Sequence, residues 1–117
     1  METGIKYVYL AGPMTHGNKR ENILKAYEAG NHLMEMGVYP FIPHFTCDFD
    51  TCYPRTYEDW MDYDFKWLER CDALIRLEGH SPGADREVEF AKSKGIPVFM
   101  SMEQFAITNH WVTTDKR

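Results

Sequence analysis

Asp64-Phe-Lys-Trp-Leu-Glu-Arg-Cys-Asp72 continues into Ala73-Leu-Ile-Arg-Leu77 and then into Glu78-Gly-His-Ser-Pro-Gly83. The first part has the apolar spacing of a helix near its end, and the second has the apolar run of a buried strand. The third part is rich in turn-forming residues and precedes another helical pattern. A buried strand between two helices is typical of a parallel sheet covered on both faces, so this segment predicts an α/β fold.

The rest of the chain repeats this alternation. Strands are predicted over residues 5–11, 38–42, 72–77 and 96–100, and helices over 21–36, from 56 onward, over 84–94 and near 103–107. Thr56 and Asp59 approximate a capping box, whereas residues 45–55 show no period and are predicted to be an irregular loop. We therefore expect one domain over residues 1–117. Its predicted fold is a Rossmann-like or flavodoxin-like three-layer sandwich with a mainly parallel sheet of four to five strands.

Composition limits the classes of function. The chain has 117 residues and a net charge of −5, which argues against binding to polymeric nucleic acid through its phosphates. No apolar run approaches a membrane span, no signal-peptide pattern is present, and three cysteines suggest free thiols, so a cytoplasmic protein is expected. His44, Cys47 and Cys52 match no common zinc spacing, and neither a metal nor a cofactor is expected.

Two carboxylates stand out from this pattern. Asp64 lies four residues after Trp60 and four before Leu68, on a helix face that should point inward. A carboxylate there is costly unless it makes a structural hydrogen bond or meets a pocket. Glu87 follows a small-residue loop, where free backbone N–H groups and the helix dipole favour negative charge. It is an ionised nucleophile, the neighbour of a ligand phosphate, or an ordinary first-turn acid.

Three motifs in order resemble the nucleoside 2-deoxyribosyltransferase superfamily, which includes nucleotide N-glycosidases. They are Val8-Tyr9-Leu-Ala-Gly12-Pro13-Met14, then Asp64-x-x-Trp67-Leu68-x-x-Cys-Asp72-Ala, then Ser81-x-Gly83-Ala-x-x-Glu87-x-x-x-Ala91. The resemblance covers residues 5 to about 100. It implies that Glu87 attacks the anomeric carbon to form a glycosyl ester, Asp64 protonates the leaving base and Tyr9 positions Glu87.

The same resemblance suggests a nucleoside 5′-monophosphate as the substrate. Relatives that act on free nucleosides tend to carry an acid at the position of Ser81, and the monophosphate glycosidases tend to carry a serine. A serine hydroxyl and nearby N–H groups would bind a phosphate that a carboxylate would repel. The expected substrate-binding residues are Ser81, Gly83, Ala84, Gly12, Pro13, His44 and Trp60, with further donors expected from the loop of residues 16–20.

Several alternatives remain open at this stage. Arg86 directly precedes Glu87, and an ion pair between them would weaken the nucleophile and favour an inactive nucleotide-binding or sensor module. A glycohydrolase acting on a dinucleotide such as NAD is a third reading. The sequence does not decide the base, the sugar, or hydrolysis against transfer to a second base. The resemblance also implies a homodimer or higher homo-oligomer, in which the C-terminal residues of a neighbour, here from Asn109 to Arg117, complete the site.

Overall fold

Four parallel strands form the centre of the molecule, which we describe over residues 4–109 from a computed structural model. The elements in chain order are β1 (Tyr7–Ala11), α1 (Lys19–Glu35), β2 (Tyr39–Phe41), a 3₁₀ turn (Pro43–Phe45), α2 (Thr46–Cys52), α3 (Tyr57–Leu68), β3 (Ala73–Arg76), α4 (Pro82–Ser93), β4 (Val98–Phe99) and α5 (Met102–Thr108). The strand order is β2-β1-β3-β4, and every neighbouring pair is parallel. The predicted fold class is confirmed, with four strands in the described residues.

Helices cover both faces of this sheet. Val8 and Leu10 of β1 point to one face, where α1 and α5 supply the other core side chains. Tyr9 and Ala11 point to the opposite face, which α3 and α4 cover. Successive residues of a strand alternate between faces, so these two layers follow from the sequence of β1. Tyr9 therefore lies in the layer that contains α3 and α4.

Side-chain caps fix where the helices begin. Asn18 accepts a hydrogen bond from the N–H of Glu21, so α1 begins two residues before its predicted start. Thr56 and Asp59 form both bonds of the predicted capping box at α3. Ser81 caps α4, which consequently begins at Pro82, whose missing N–H is tolerated in a first turn.

The prediction of an irregular loop over residues 45–55 is wrong, because most of this segment forms α2. A 3₁₀ turn that begins at Pro43 leads into this helix. The Thr46 hydroxyl closes the turn by donating to the Pro43 carbonyl at 2.8 Å. Phe49 of α2 then packs edge-on against Trp60 of α3, with ring centroids 5.5 Å apart. A helix of seven residues gives too few apolar repeats for a period to be visible.

The topology leaves a crevice at the carboxyl edge of the sheet. From β1 the chain passes to β2 on one side and then to β3 on the other, which is the switch of direction beside which ligands bind in such sheets. None of the helices within residues 4–109 has the length and apolar character that crossing a membrane requires. The predicted polar tail lies beyond residue 109, outside the described residues.

Candidate active site

A cavity of about 550 Å³ opens at this edge, bounded by the loops after β1, β2 and β3 and by α3. Among the residues predicted to form a site, those that line it are Gly12, Trp60, Asp64, Ser81, Gly83, Ala84 and Glu87. Residues far apart in the sequence therefore share one cavity, and they do so at the edge where the fold predicts a ligand.

Glu87 is held by a tyrosine from the centre of the sheet. The Tyr9 hydroxyl donates to Glu87 Oε2 at 2.6 Å, and both side chains are buried. Burial first, and then the nearby charge of Glu87, raise the pKa of Tyr9 well above its usual value. Tyr9 thus stays protonated and acts as a fixed hydrogen-bond donor to the carboxyl group.

Asp64 faces the same cavity from α3. Its side chain is only 7% exposed, and it shares the buried face of the helix with Met61 and Leu68, as the spacing predicted. Within residues 4–109 its Oδ1 atom is buried and has no hydrogen-bond partner. A buried acceptor without a partner is costly, so this oxygen needs a hydrogen-bond donor, which a proton shared with Glu87 or a bound ligand would supply.

The two carboxyl groups behave as a pair. Burial raises the pKa of Asp64, and hydrogen bonds with the Glu87 and Tyr9 side chains oppose that rise. Burial also raises the pKa of Glu87; the Tyr9 hydrogen bond and the charge of Arg76 lower it, and the charge of Asp64 raises it further. Two buried carboxyls this close do not both ionise readily, so the pair holds a proton in a pH range where exposed carboxyls have lost theirs.

The start of α4 has less influence on the charge of Glu87 than the sequence suggests. The helix begins at Pro82, so Glu87 stands in its second turn rather than at its first free N–H groups. The influence of a helix end falls off within the first turn, and burial therefore has the larger effect.

Ser81, Gly83 and Ala84 form one end of the cavity. The Ser81 hydroxyl oxygen accepts the N–H of Ala84 at 3.1 Å, which leaves the hydroxyl hydrogen available to a ligand. The Ala84 N–H is thus already engaged, and the N–H of Gly83 is the backbone donor left in this turn. A Cβ atom at Gly83 would lie 3.2 Å from the Tyr57 hydroxyl, so a side chain there would crowd both α3 and the cavity.

Arg76 is an important residue that the sequence analysis missed. Its buried guanidinium donates to the carbonyl of Leu77, to that of Gly79 at 3.0 Å, and to Asp85 Oδ1 at 3.0 and 3.3 Å. These bonds tie the loop after β3 to the first turn of α4 and hold the end of the cavity in shape. The available signal was an arginine inside an otherwise apolar strand.

His44 and Pro13 do not line the cavity, contrary to the prediction for both. His44 is 1% exposed, and its Nε2 contacts the Pro13 carbonyl at 2.9 Å. This contact joins the loops after β1 and β2 beneath the cavity. Burial lowers the pKa of His44, so the imidazole is neutral and available for this structural hydrogen bond. Pro13 instead lines a neighbouring cavity on the side of α1.

Arg86 does not pair with Glu87. Its guanidinium makes two bonds to the Glu58 carboxylate, at 2.9 and 3.2 Å, and lies over the Tyr57 ring. Consecutive residues of a helix point in directions about 100° apart, so Arg86 faces α3 while Glu87 faces the sheet. The predicted ion pair that would weaken the nucleophile is absent from the described residues.

The cavity is also lined by polar residues that were not predicted to bind the substrate. Lys19 and His16 were named only as loop donors, and Asp50 and Arg55 were not considered, because their segment was predicted to be an irregular loop. No group of histidine, cysteine or acidic side chains within residues 4–109 is arranged to hold a metal ion. Cys47, Cys52 and Cys71 are free thiols.

Solved structures with the same fold include two 2-deoxyribosyltransferases. The enzyme of Leishmania mexicana is 20% identical, with a TM-score of 0.61 over 80% of this chain. The chain covers 61% of the length of that protein. The enzyme of Bacillus psychrosaccharolyticus is also 20% identical, with a TM-score of 0.52 over 79% of this chain and 69% of its own. At this identity the likeness concerns the fold.

Comparison with curated proteins finds no match. A family model does match, over residues 6–101. This range includes all four strands of the described sheet and both residues of the carboxylate pair. The chain therefore belongs to the family described as Domain of unknown function (DUF7768).

Proposed function

We propose that this protein cleaves the N-glycosidic bond of a nucleoside or deoxynucleoside 5′-monophosphate through a covalent glycosyl ester on Glu87. One observation carries the proposal: Glu87, held by Tyr9 at 2.6 Å, and Asp64, with a buried oxygen left without a partner, line the same cavity. A nucleophile beside an acid is the arrangement that glycoside cleavage with a covalent intermediate requires. The fold shared with 2-deoxyribosyltransferases supports the same chemistry.

In the first step the ionised Glu87 carboxylate attacks the anomeric carbon, and the bond from that carbon to the base nitrogen breaks. Asp64, which carries the shared proton, gives it to the leaving base. The Tyr9 hydrogen bond and the positive charge of Arg76 stabilise the ionised form of Glu87, whereas burial and the charge of Asp64 oppose it, so the step requires the proton of the pair to lie on Asp64 once the substrate is bound. In the second step water adds to the anomeric carbon, its proton returns to Asp64, and the Glu87 carboxylate is released.

The phosphate would bind at the end of the cavity formed by the start of α4. The Ser81 hydroxyl and the Gly83 N–H are the donors there, and the helix dipole adds favourable potential. Lys19 at the start of α1 and His16 in the loop after β1 also line the cavity, and the Lys19 ammonium would add positive charge there. A carboxylate at position 81 would repel the same group, which is why serine supports a monophosphate over a free nucleoside.

The proposal extends to a homodimer in the cytoplasm with no metal and no cofactor. Whether the glycosyl group passes from Glu87 to water or to a second base depends on which of them reaches the cavity. The case for an inactive binding module relied chiefly on an Arg86–Glu87 ion pair, whereas Arg86 contacts Glu58.

The test is to incubate the protein with a panel of ribonucleoside and deoxynucleoside monophosphates, free nucleosides and NAD, and to separate the products by chromatography. We expect free base from at least one monophosphate, none from the Glu87→Gln variant, and a glycosyl adduct on Glu87 in the intact mass. Tight nucleotide binding without release would instead support the binding module. Release of nicotinamide from NAD alone would support the dinucleotide glycohydrolase.

A further inference from the structure

One side of the cavity is formed by Asp50, Arg55 and Trp60, which we call the α2 wall. All three line the cavity together with the carboxylate pair. Asp50 is on α2, Trp60 is on α3, and Arg55 lies in the connection between these helices. Their side chains combine an anion, a cation and a flat aromatic ring at one place.

The Asp50 carboxylate is fixed by two donors. Its Oδ1 atom accepts the indole N–H of Trp60 at 2.6 Å and the backbone N–H of Arg55 at 3.0 Å. The first of these bonds joins α2 to α3, and the second closes the turn between them. With Oδ1 held in this way, Oδ2 is left as an acceptor whose direction is set by the fold rather than by a freely rotating side chain.

Arg55 is held against the same ring. Its guanidinium carbon lies 5.7 Å from the centroid of the Trp60 ring and 5.4 Å from that of Phe49, and its Nη1 donates to the Tyr53 carbonyl at 3.1 Å. Stacking on aromatic rings restricts the guanidinium and leaves its other N–H groups as donors. The α2 wall thus presents a fixed acceptor and a restricted donor next to each other.

The position of this wall identifies the part of the substrate that it would meet. Trp60 lies one helical turn before Asp64 on α3, so the wall adjoins the group that protonates the leaving base. The phosphate donors, Ser81 and Gly83, belong to the start of α4 instead. A nucleotide with its phosphate at α4 and its anomeric carbon at Glu87 therefore extends its base toward α2.

We infer that the α2 wall selects bases that carry an amino group at C4 of a pyrimidine or C6 of a purine. In cytosine and adenine this amino group would donate to Asp50, and the adjacent unprotonated ring nitrogen would accept from Arg55. Uracil and hypoxanthine present the reverse pattern, a carbonyl oxygen facing the carboxylate and a ring N–H facing the guanidinium. Both contacts become repulsive or unsatisfied, and a site whose polar groups are fixed in direction rejects the analogue that leaves them without partners.

This inference rests on the proposed function, which sets the orientation of the nucleotide. Binding measurements on a variant that does not cleave the nucleotide test it separately from catalysis. In the Glu87→Gln background we would measure the dissociation constants of dCMP, dUMP, dAMP and dIMP by titration calorimetry. These are two matched pairs that differ in the amino or oxo group. We expect dCMP to bind more tightly than dUMP, and dAMP more tightly than dIMP, by about tenfold to a hundredfold.

The Asp50→Asn variant provides the decisive comparison. An amide oxygen still accepts the Trp60 N–H, while the amide N–H₂ can donate to a carbonyl, so the preference should fall to about threefold or reverse. Asp48→Asn is the matched control, because Asp48 is on the same helix, is exposed and does not line the cavity. It should leave the preference of the Glu87→Gln background unchanged.

The outcomes separate this inference from the proposed function. Equal affinity within each pair, or an unchanged preference in Asp50→Asn, overturns the inference even if the wild-type protein releases base. Selective binding that Asp50→Asn abolishes supports the inference even if no base is released, in which case the proposed cleavage is overturned. Absence of binding by all four nucleotides overturns the inference, whereas the proposed cleavage is tested by base release from the wider panel of nucleotides.

Discussion

Glu87 shows how burial decides the charge of a single side chain against the pull of its helix. The carboxyl is 5% exposed, and its pKa is raised to about 8, chiefly by burial, despite the Tyr9 hydrogen bond and the charge of Arg76. Asp64 is subject to the same effect on another helix, α3. Such a pair is costly to the fold when it ionises, which is the usual sign of residues kept for chemistry rather than for stability.

A stability measurement can detect this cost. The folded protein retains protons on Glu87 and Asp64 above about pH 4, where the unfolded chain loses them. The free energy of unfolding contributed by these groups is therefore fully present at lower pH and is lost as the pH rises toward the raised pKa values. Glu87→Gln removes one titrating group while its amide oxygen still accepts the Tyr9 hydroxyl.

We expect Glu87→Gln to be about as stable as the wild type near pH 5 and more stable near pH 8.5, by roughly 1–3 kcal/mol, since each unit of pKa change corresponds to about 1.4 kcal/mol. Urea denaturation at the two pH values measures this difference. Asp48→Asn, which removes an exposed carboxyl, should show no such trend. A variant that is equally destabilised at both pH values would contradict the raised pKa of Glu87.

At the scale of elements, the contact between α3 and α4 keeps the two acids of the site on facing helices. Arg86 of α4 bonds to Glu58 of α3 at 2.9 Å on the exposed side of this contact. Phe65 and Phe90 stack on the same pair of helices with centroids 4.4 Å apart. The stacked rings are the larger source of packing, because exposed ion pairs contribute little to stability.

Replacement of Arg86 distinguishes its two possible partners. If Arg86 pairs with Glu58, Arg86→Ala should leave the rate of base release within about threefold of the wild type and change the stability little. If Arg86 paired with Glu87, Arg86→Ala would free the nucleophile from its counter-ion. The rate of base release would then rise by much more than threefold. Rates are compared with those of Lys92→Ala, which removes an exposed cation from the same helix.

The sequence predicts helices and strands well where apolar residues recur at a regular spacing over many positions. The buried run of β3 and the apolar spacing of α3 specified the sheet and the inward direction of Asp64. The helix α2 was missed because it is only seven residues long, and Asp50 and Arg55 were missed with it. The partners of Arg86 and His44 depend on distances between segments, which a local pattern does not contain.

At the scale of the whole molecule, one edge of the sheet carries exposed aromatic side chains. Tyr39 at the start of the edge strand β2 is 61% exposed, and Trp67 on α3 is 45% exposed. Trp67 stacks on Phe41 at 5.4 Å, and Phe41 stacks on Tyr9 at 5.5 Å. The exposed aromatic edge is therefore connected by stacked rings to the residue that holds Glu87.

This aromatic edge supports the proposal of a homodimer, because exposed aromatic clusters are typical of interfaces and an edge strand invites pairing. We expect sedimentation velocity to give a dimer at micromolar concentration for the wild type. Trp67→Glu should weaken its association at least about tenfold, since desolvating a new carboxylate in an interface is costly.

Met34→Glu introduces the same charge at an exposed position of α1, on the opposite face of the sheet, and should leave the dimer intact. A wild type that sediments as a monomer, or a Trp67→Glu variant that stays dimeric, would contradict this interface. If Trp67→Glu is monomeric, its base release tests the connection through the stacked rings. The substitution removes the ring that stacks on Phe41, which in turn stacks on Tyr9, so the rate of base release should fall, whereas Met34→Glu should change neither the dimer nor the rate.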